Sequence, residues 1–263
     1  MQQQTQRRME IEGDLRQAIS RVELTGYFQP QVNVKTGQII GAEAILRWNH
    51  PAWDMVSPSE FIPVVEECGL ILPIGDWVLE QSIAQAKKWH DAGFPLTIAV
   101  NLSLAQFRAN TLFDKVQQTL EHYQLPPQYL ELELTESIAM QNAEMAIDIT
   151  QQLTQLGIKL SIDDFGTGYS SLSYLQRFSL DKLKIDQSFT MNMSENKDSE
   201  NIVDAIIGLA KSLNLKTIAE GVETRQQLDM FKQKECDEVQ GYYFSKPVPA
   251  PEFMALLKKR LIE

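Results

Sequence analysis

Short apolar runs that alternate with helical stretches are the feature that most restricts what this chain can fold into. Two of the runs, Gly26 to Val34 and Gln38 to Trp48, are separated by a short turn and predict an antiparallel hairpin. Six more runs follow, each paired with a helical stretch, as is typical of parallel strands. They are residues 97–101, 130–134, 159–163, 182–186, 216–220 and 237–240. Eight strands in this order favour an α/β fold whose sheet closes into a barrel.

The remaining stretches show helical spacing and are expected to cover the barrel. Helices are predicted from about Ser57, over 76–92, from about Leu104, over 143–156, near Ser171, over 201–213, over 225–234 and over 250–262. Residues 1–21 carry a weaker helical stripe, formed by Met9, Ile11, Leu15, Ala18 and Ile19. This segment is predicted to be either a first helix that packs on the domain or the end of a linker from an upstream domain. Residues 22–263 are predicted to form the domain itself.

Charged and apolar side chains alternate within the predicted strands. Glu131 and Glu133 alternate with leucines, and Lys184 stands between Leu183 and Ile185. Successive side chains of a strand face opposite ways, so the apolar face is expected to meet the helices and the charged face to point into the barrel. A barrel core is normally filled with branched apolar residues, and buried charges need partners or a bound ion. The pattern therefore predicts a functional interior.

Polar residues stand at or near the carboxyl ends of six predicted strands. They are Asn101, Glu133, Asp163, Lys184, Glu220 and Gln240. In an α/β barrel these ends meet at one mouth, where active sites lie. Asp163 is followed by Asp164 and then by Gly166 and Gly168, a pattern that by itself also fits an ordinary turn. Six strands that end in this way favour a site over a turn.

The predicted mouth offers carboxylates and amides but no histidine or cysteine. Hard oxygen ligands of this kind suit Mg²⁺ or Mn²⁺ better than Zn²⁺. Adjacent Asp163 and Asp164 can flank two ions, the arrangement that supports in-line displacement at phosphorus by an activated water. Lys184 is interpreted either as a structural counter-ion or as a group that orients the attacking water.

A formal net charge of -11 narrows the range of partners. It argues against a nucleic acid polymer or an anionic membrane surface, and a phosphate-ester ligand would need a divalent cation to neutralise it. Cys68 and Cys236 have no pairing motif, which indicates a reducing, cytoplasmic compartment. The sequence has no uninterrupted apolar run of about 18 residues, the length that predicts a membrane span.

The run Glu43 to Trp48 opens with Glu43-Ala44-Ile45, which resembles the Glu-Ala-Leu signature of EAL domains. The resemblance extends from about Tyr27 to the end of the chain. It rests on further motifs, which are Phe61-Ile62-Pro63, Asn101-Leu102-Ser103, Glu133-Leu134-Thr135-Glu136, residues 163–172, Lys184-Ile185-Asp186, residues 220–224 and residues 240–247. Ile45 departs from the signature leucine at small expected cost, because both side chains are apolar and similar in volume. EAL domains are bacterial phosphodiesterases that open cyclic di-GMP to linear pGpG, and the resemblance implies this activity.

The resemblance also implies a modified (β/α)8 TIM-like barrel with an antiparallel early strand, and it implies a set of site residues. One metal ion would be held by Glu43, Asn101, Glu133 and Asp163. A second ion would be held by Asp163, Asp164 and Glu220. Catalytic roles would fall on Lys184, which would contact the attacking water, and on Glu220, Glu43 and Asp163. The general base is left open between Glu220 and the metal ions.

Substrate contacts are implied at four positions. Gln29 and Arg47 resemble residues that hold the guanine and the phosphate of the dinucleotide, and a planar guanidinium suits phosphate because it can donate two hydrogen bonds. Asp164 and Gln240 complete the set, with Gln240 also supporting the metal and water cluster. Glu136 resembles the residue that fixes the loop 165–171, which couples dimerisation to metal placement in the family. The alternative reading of Glu136 is an acid that stabilises a helix N-terminus.

Cofactors and partners follow from the same resemblance. Two Mg²⁺ or Mn²⁺ ions are expected, and Ca²⁺ is expected to inhibit because its looser geometry places the water poorly. The resemblance implies a homodimer through the barrel. It also implies an upstream regulatory or diguanylate cyclase-like domain in a longer protein, cytoplasmic or anchored at the inner membrane. Two other interpretations stay open: a receptor that binds cyclic di-GMP without cleaving it, and an unrelated metal-dependent barrel enzyme acting on a carbonyl or enolate.

Overall fold

A computed structural model describes residues 2–168, 172–193 and 196–259 of the chain. The strands are β1 (Leu24–Asn33), β2 (Ile39–His50), β3 (Asp54–Val56), β4 (Thr97–Asn101), β5 (Leu130–Thr135), β6 (Lys159–Phe165), β7 (Lys182–Ile185), β8 (Lys216–Ala219), β9 (Glu238–Val239) and β10 (Val248–Pro249). The helices are α1 (Gln2–Ala18), α2 (Pro58–Glu67), α3 (Ile71–Asp91), α4 (Leu104–Phe107), α5 (Leu112–Tyr123), α6 (Glu136–Gln141), α7 (Ala143–Gln155), α8 (Leu172–Leu175), α9 (Gln187–Asn192), α10 (Lys197–Ser212), α11 (Arg225–Gln233) and α12 (Ala250–Lys259). A short 3-10 helix covers Pro127–Tyr129.

Eight of the described strands close into a barrel. β2 and β4 to β9 lie side by side in parallel. β1 is antiparallel to both β2 and β9, and it joins the two ends of the parallel series. β3 and β10 pair with β2 and β1 outside the ring. The predicted α/β barrel with an antiparallel early strand is confirmed.

The two faces of the strands separate as predicted. Leu132, Leu160 and Ile185 are fully buried, and they belong to the main hydrophobic core together with side chains of the surrounding helices. Glu133 and Lys184, which alternate with such residues, are equally buried but point into the ring, where they contact each other. The apolar core therefore lies between the sheet and the helices, and the interior of the barrel is polar.

Helix α3 begins earlier than predicted. It starts at Ile71 and not near residue 76, because Pro73 falls in the first turn, where a missing N–H removes no helical hydrogen bond. Gly75 also resembles a helix breaker, but it lies against Gln106 of α4. A Cβ at this position would come within 2.4 Å of the Gln106 amide group. The glycine is therefore needed for close packing of the two helices.

Two short helices are missing from the sequence prediction. α6 and α9 follow directly on β5 and β7, with Thr135 and Asp186 as their N-caps. Asp186 accepts a hydrogen bond from the backbone of Ser188 at 3.0 Å, so it begins a helix and does not extend the strand as predicted. The predicted helix start near Ser171 and the predicted helix end at 260–262 lie outside the described residues. Across the described part of the chain, no helix combines the length and hydropathy that crossing a membrane requires.

The N-terminal helix α1 packs on a second, smaller hydrophobic cluster. Ile11, Leu15 and Ala18 are buried there together with side chains such as Trp48 of β2. Met9, assigned to the same stripe, is 69% exposed, because a step of two residues turns a side chain to the opposite side of a helix. α1 is thus held on the domain by apolar contacts, and its role as a linker stays a prediction.

The two cysteines are expected to differ in reactivity. Burial raises the pKa of the Cys236 thiol to about 12, and its side chain is fully enclosed. Cys68 is only partly buried. Because the thiolate is the reactive form, we expect a thiol reagent at pH 8 to label Cys68 in the native protein and Cys236 only after unfolding. Mass spectrometry of labelled peptides checks this, and rapid native labelling of a Cys68→Ser variant would contradict it.

Candidate active site

A lysine lies at the centre of the polar end of the barrel. Lys184 of β7 is fully buried, and its Nζ lies 2.6 Å from Glu133 Oε2, 2.8 Å from Glu220 Oε1, 3.2 Å from Asp163 Oδ1 and 3.7 Å from Glu43 Oε2. Glu133, Asp163 and Glu220 come from the carboxyl ends of β5, β6 and β8, which converge as predicted, and Glu43 joins them from within β2. One ammonium against four carboxylates leaves a surplus of negative charge when all four are ionised.

The surplus charge appears in the pKa values of the cluster. Burial lowers the pKa of Lys184, but the surrounding carboxylates outweigh it and raise that pKa well above its ordinary value. Burial, opposed by Lys184 and assisted by Asp163, raises the pKa of Glu220 to about 8. Burial also raises the pKa of Glu133 well above its ordinary value, despite the nearby Lys184. The lysine is therefore charged, and the carboxylates favour a bound proton or a bound cation.

Asp163 and Asp164 project into one cluster although they are neighbours in the chain. Regular strand residues would face opposite ways, but the pairing of β6 with β7 shifts register between Ile162 and Phe165. Asp164 has a left-handed backbone, with φ of 55°, and its N–H donates to Asp163 Oδ1 at 2.9 Å. The irregularity places carboxylate oxygens of Asp163, Asp164 and Glu220 within 4.8 Å of one another. The predicted strand end at Asp163 is wrong, because β6 continues through the irregularity to Phe165.

Burial, together with the charge of Asp163, raises the pKa of Asp164 to about 6. An aspartate is among the residues that tolerate a left-handed backbone, but the conformation still carries a cost, and such outliers concentrate at functional sites. The backbone at Asp164 is therefore shaped for the cluster.

A frame of amides holds Glu43 from both sides. Asn101 Nδ2 donates to Glu43 Oε1 at 2.8 Å, and Gln240 Nε2 donates to Glu43 Oε2 at 2.6 Å. Gln240 Nε2 also donates to Gln29 Oε1 at 3.0 Å, and Gln29 Nε2 donates to the Ser245 carbonyl at 3.1 Å. The sequence placed Asn101 and Gln240 at this mouth, but it did not predict that Gln240 would bridge Glu43 and Gln29. Pairing of β1 with both β2 and β9 is what brings these three side chains together.

Arg47 lies further along β2 and is not part of the carboxylate cluster. Its guanidinium stacks over Tyr27 at 5.5 Å and donates to the Leu46 carbonyl at 3.1 Å. Burial lowers its pKa, with nearby Tyr242 opposing, but an arginine stays protonated at neutral pH. Among the described residues it forms no ion pair, so its charge remains available to an anionic ligand.

Glu136 holds the start of the loop that follows Asp164. Its Oε2 accepts hydrogen bonds from the backbone N–H of Gly166 at 3.0 Å and of Gly168 at 3.4 Å. A Cβ at Gly168 would lie 2.9 Å from Glu136 Oε1, so this approach requires a glycine. Glu136 is also the first residue of α6, and both interpretations of it therefore have a structural basis. The predicted loop extends to residue 171, and residues 169–171 lie outside the described part of the chain.

The donor set fits a hard divalent cation. It consists of carboxylate and amide oxygens, with surplus negative charge that a cation would neutralise. Within the described residues, Glu133 Oε1 is buried without a hydrogen-bond partner. A buried carboxylate oxygen in this state is suited to coordination, because an unsatisfied buried acceptor is otherwise costly.

Sequence reasoning did not assign a role to a second group of buried charges beneath this site. Lys182 lies 2.9 Å from Glu131 and 2.7 Å from Glu238, and all three side chains are almost fully enclosed. We call this group the lower charge layer. The signal in the sequence is spacing, since Glu131 and Lys182 each stand two residues before a site residue.

Comparison with known proteins gives one consistent result. The sequence profile of the EAL domain matches residues 12–247. The bifunctional diguanylate cyclase/cyclic di-GMP phosphodiesterase MucR of Pseudomonas aeruginosa is 43% identical over 97% of this chain and 37% of its own length. The cyclic di-GMP phosphodiesterase PdeR of Escherichia coli is 38% identical over 95% of this chain and 38% of its own length.

A solved structure described as the PaMucR phosphodiesterase in complex with c-di-GMP is also similar. It superposes with a TM-score of 0.91 at 43% identity and covers 93% of this chain and 99% of the solved chain. The chain spans little more than a third of the length of the two curated relatives. Because the profile matches residues 12–247 and the structural likeness covers 93% of the chain, the chain belongs to the EAL domain family.

Proposed function

We propose that this domain hydrolyses cyclic di-GMP to linear pGpG. The observation that carries the proposal is the buried Lys184 among four carboxylates at the carboxyl end of the barrel. Support comes from relatives named as cyclic di-GMP phosphodiesterases, including PdeR of Escherichia coli and NbdA of Pseudomonas aeruginosa. The solved PaMucR complex contains c-di-GMP, which supports the same ligand here.

The residues of the site are suited to two divalent cations. Glu43, Asn101, Glu133 and Asp163 would hold one ion, and Asp163, Asp164 and Glu220 would hold the other. When bound, such ions neutralise the charge of a phosphodiester and lower the pKa of a water molecule to near neutrality. Mg²⁺ or Mn²⁺ is expected to support the reaction, and Ca²⁺ to inhibit it.

Lys184 and Glu220 are assigned different roles toward the protons of the attacking water. Lys184 keeps its proton because the carboxylates raise its pKa, so it can donate a hydrogen bond to the attacking water but cannot accept a proton from it. Glu220 is the carboxylate proposed to take the proton that the water releases, because its Oε1 lies 2.8 Å from Lys184 Nζ, the group that would hold that water. The water oxygen bonds to phosphorus while the bond to one 3′ oxygen breaks, and that oxygen takes up a proton from solvent to become a 3′ hydroxyl. The product therefore carries a 5′ phosphate.

Substrate orientation is assigned to the residues around Glu43. Arg47 has a free charge for a phosphate, and Gln29 has a fixed orientation because both ends of its amide are hydrogen-bonded. Asp164 and Gln240 complete the contacts, and Glu136 fixes the loop that carries Asp164. A bound dinucleotide would then lie across the mouth between Arg47 and Lys184.

Product analysis tests the proposal. The purified chain is incubated with cyclic di-GMP and Mg²⁺, Mn²⁺, Ca²⁺ or a chelator, and the nucleotides are separated by chromatography. We expect pGpG with Mg²⁺ or Mn²⁺ and none with the chelator. Tight binding of cyclic di-GMP without any pGpG would identify a receptor and overturn the hydrolase proposal for this domain.

The stability gained from a bound metal is expected to rise with pH. Asp164 and Glu220 have folded-state pKa values raised to about 6 and about 8. A carboxyl group whose pKa is higher in the folded state than in the unfolded state stabilises the fold at low pH. This stabilisation is complete below the unfolded pKa of about 4 and is lost as the pH rises through the folded pKa. A divalent cation replaces the lost protons. We therefore expect Mg²⁺ to raise Tm by roughly 5 °C more at pH 8.5 than at pH 5.5.

Thermal unfolding with Mg²⁺ and with chelator at each pH measures this difference, and other titrating groups cancel between the two conditions. The Glu220→Gln variant serves as the control, since it lacks the group with the higher pKa and should show a flatter dependence. An equal metal-dependent gain at both pH values would contradict the assignment.

The domain arrangement of a longer protein and the oligomeric state of the barrel are also proposed from the family resemblance. Residues 1–21 are proposed to continue from an upstream regulatory or diguanylate cyclase-like domain, and the barrel is proposed to form a homodimer. The MucR relative, which is named for both activities and is much longer than this chain, supports the first statement. Light scattering of the purified chain tests the second.

A further inference from the structure

Side chains inside the barrel form pairs spaced by two residues. On β5 and β7 and at the end of β9, the residue nearer the carboxyl end belongs to or contacts the candidate site, and the residue two positions earlier belongs to the lower charge layer. The pairs are Glu133 with Glu131, Lys184 with Lys182, and Gln240 with Glu238. Alternate residues of a strand share a face and lie about 7 Å apart, so each lower residue stands directly beneath its upper partner.

The lower charge layer connects strands that are not neighbours. Lys182 Nζ on β7 lies 2.9 Å from Glu131 Oε2 on β5 and 2.7 Å from Glu238 Oε2 on β9. In the order of the ring, β6 separates β5 from β7, and β8 separates β7 from β9. The ammonium therefore ties three strands together across the interior of the barrel, where backbone hydrogen bonds cannot reach.

A gain in folding stability does not by itself explain three charged side chains in the interior of the barrel. Barrel interiors are usually filled with branched apolar residues, and buried ion triads are often no more stabilising than apolar residues of similar size. Beneath the layer lies a cavity of about 380 Å³, bordered by the first residues of several strands, including Thr97, Lys159 and Lys216. The layer thus separates this cavity at the amino end from the candidate active site at the carboxyl end.

We propose that Lys182, with Glu131 and Glu238, is a positioning layer that sets the placement of Glu133, Lys184 and Gln240. The inference rests on the proposed function, because only that function makes Glu133 a metal ligand and Lys184 the group that orients the water. Glu133 would bind a metal ion, and Gln240 holds Glu43, another proposed ligand, at 2.6 Å. Mutation of a residue hydrogen-bonded to a metal ligand commonly changes metal affinity by 10–100-fold, and a layer that acts through the strands is expected to reach the lower end of that range. Lys182 does not contact the substrate and is not a catalytic residue.

The test replaces the layer with uncharged side chains of similar size in a Lys182→Met, Glu131→Gln, Glu238→Gln triple variant. This variant avoids an unpaired buried charge, which would arise in Lys182→Met alone. Mn²⁺ affinity is measured by calorimetry in the absence of substrate, and folding is checked by circular dichroism. We expect a native spectrum and Mn²⁺ binding weakened by about 10-fold or more.

Two further variants complete the design. Lys216→Met is the matched control, because Lys216 borders the same cavity and lies 3.5 Å from Glu238 but is largely exposed; its Mn²⁺ affinity should equal that of the wild type. Glu238→Gln decides the question if the triple variant does not fold, and it should weaken Mn²⁺ binding about 3-fold.

The outcomes separate the two proposals. Wild-type Mn²⁺ affinity in a folded triple variant, or in Glu238→Gln where the triple variant does not fold, would overturn the positioning layer and leave the proposed function intact. A wild-type chain that neither binds Mn²⁺ nor produces pGpG would overturn both.

Discussion

Replacing Glu43 with glutamine is expected to reduce the rate of cyclic di-GMP hydrolysis by about 10³-fold or more. Metal-assisted charge stabilisation contributes several kcal/mol to such reactions, and each 1.36 kcal/mol corresponds to a factor of ten in rate. Glu43 is a proposed ligand, and the substitution removes its charge while keeping its size. The measurement is pGpG formation under saturating Mn²⁺, with Mn²⁺ affinity determined in parallel.

The surroundings of Glu43 make glutamine a poor substitute. One carboxylate oxygen accepts from Asn101 and the other from Gln240, and Lys184 lies 3.7 Å from the second oxygen. Every neighbour is a donor. A glutamine that turns its NH2 group toward Asn101 or Gln240 places two donors against each other unless the neighbouring amide also turns over. We therefore expect a displaced amide frame in addition to the lost ligand.

Matched variants separate this effect from a general loss of charge. Glu252→Gln removes an exposed carboxylate from α12 and should retain full activity, and Glu43→Asp should retain more activity than Glu43→Gln because it keeps the charge. A Glu43→Gln variant with more than a tenth of wild-type activity would show that Glu43 is not a metal ligand.

Replacing Lys184 with methionine is expected to abolish activity and to destabilise the metal-free protein by about 3–5 kcal/mol. The side chain is fully buried, and its removal leaves four carboxylates facing one another without a counter-ion. For a chain of this size the loss corresponds to a fall in Tm of roughly 10 °C. Thermal unfolding and pGpG formation measure the two effects.

Metal should restore stability to this variant but not activity. Mg²⁺ or Mn²⁺ can neutralise the carboxylates in place of the ammonium, so the gain in Tm on adding metal should exceed the gain in the wild type. Activity should stay absent, because the four carboxylates around Lys184 accept hydrogen bonds when they are ionised and cannot replace its ammonium as a donor to the water. Lys232→Met, an exposed exchange on α11, is the control. Unchanged Tm in metal-free Lys184→Met would contradict the counter-ion role.

The sequence predicted which strands bring their polar residues to the site better than it predicted the local backbone and contacts there. Strand periodicity was sufficient to place Glu133 and Lys184 inside the barrel, because alternation in β5 and β7 is regular. It failed at Asp163 and Asp164, where the strand continues through a shift of register. A bulge depends on how the neighbouring strand pairs, and the local amino-acid pattern of one strand does not specify that pairing.

Contacts between distant segments were also beyond prediction from the sequence. The bridge from Gln240 to both Glu43 and Gln29 depends on the ring closing at β1, and the tie from Lys182 to Glu131 and Glu238 spans intervening strands. The room that Gly75 leaves for Gln106 is likewise a contact with another helix, and the predicted start of α3 at residue 76 missed it. In each case the missing information is a partner remote in sequence.

Closure of the ring by β1 has a consequence for synthesis in the cell. β1 and Glu43 leave the ribosome early, but one of the two amides that hold Glu43 belongs to Gln240, almost 200 residues later. Contacts between segments so far apart form slowly, and a nascent chain cannot form them until the later segment has emerged. A chain arrested before residue 240 therefore lacks the contact between Gln240 and Glu43, and its barrel is not closed by the pairing of β1 with β9. Incomplete products of translation should consequently be inactive toward the second messenger.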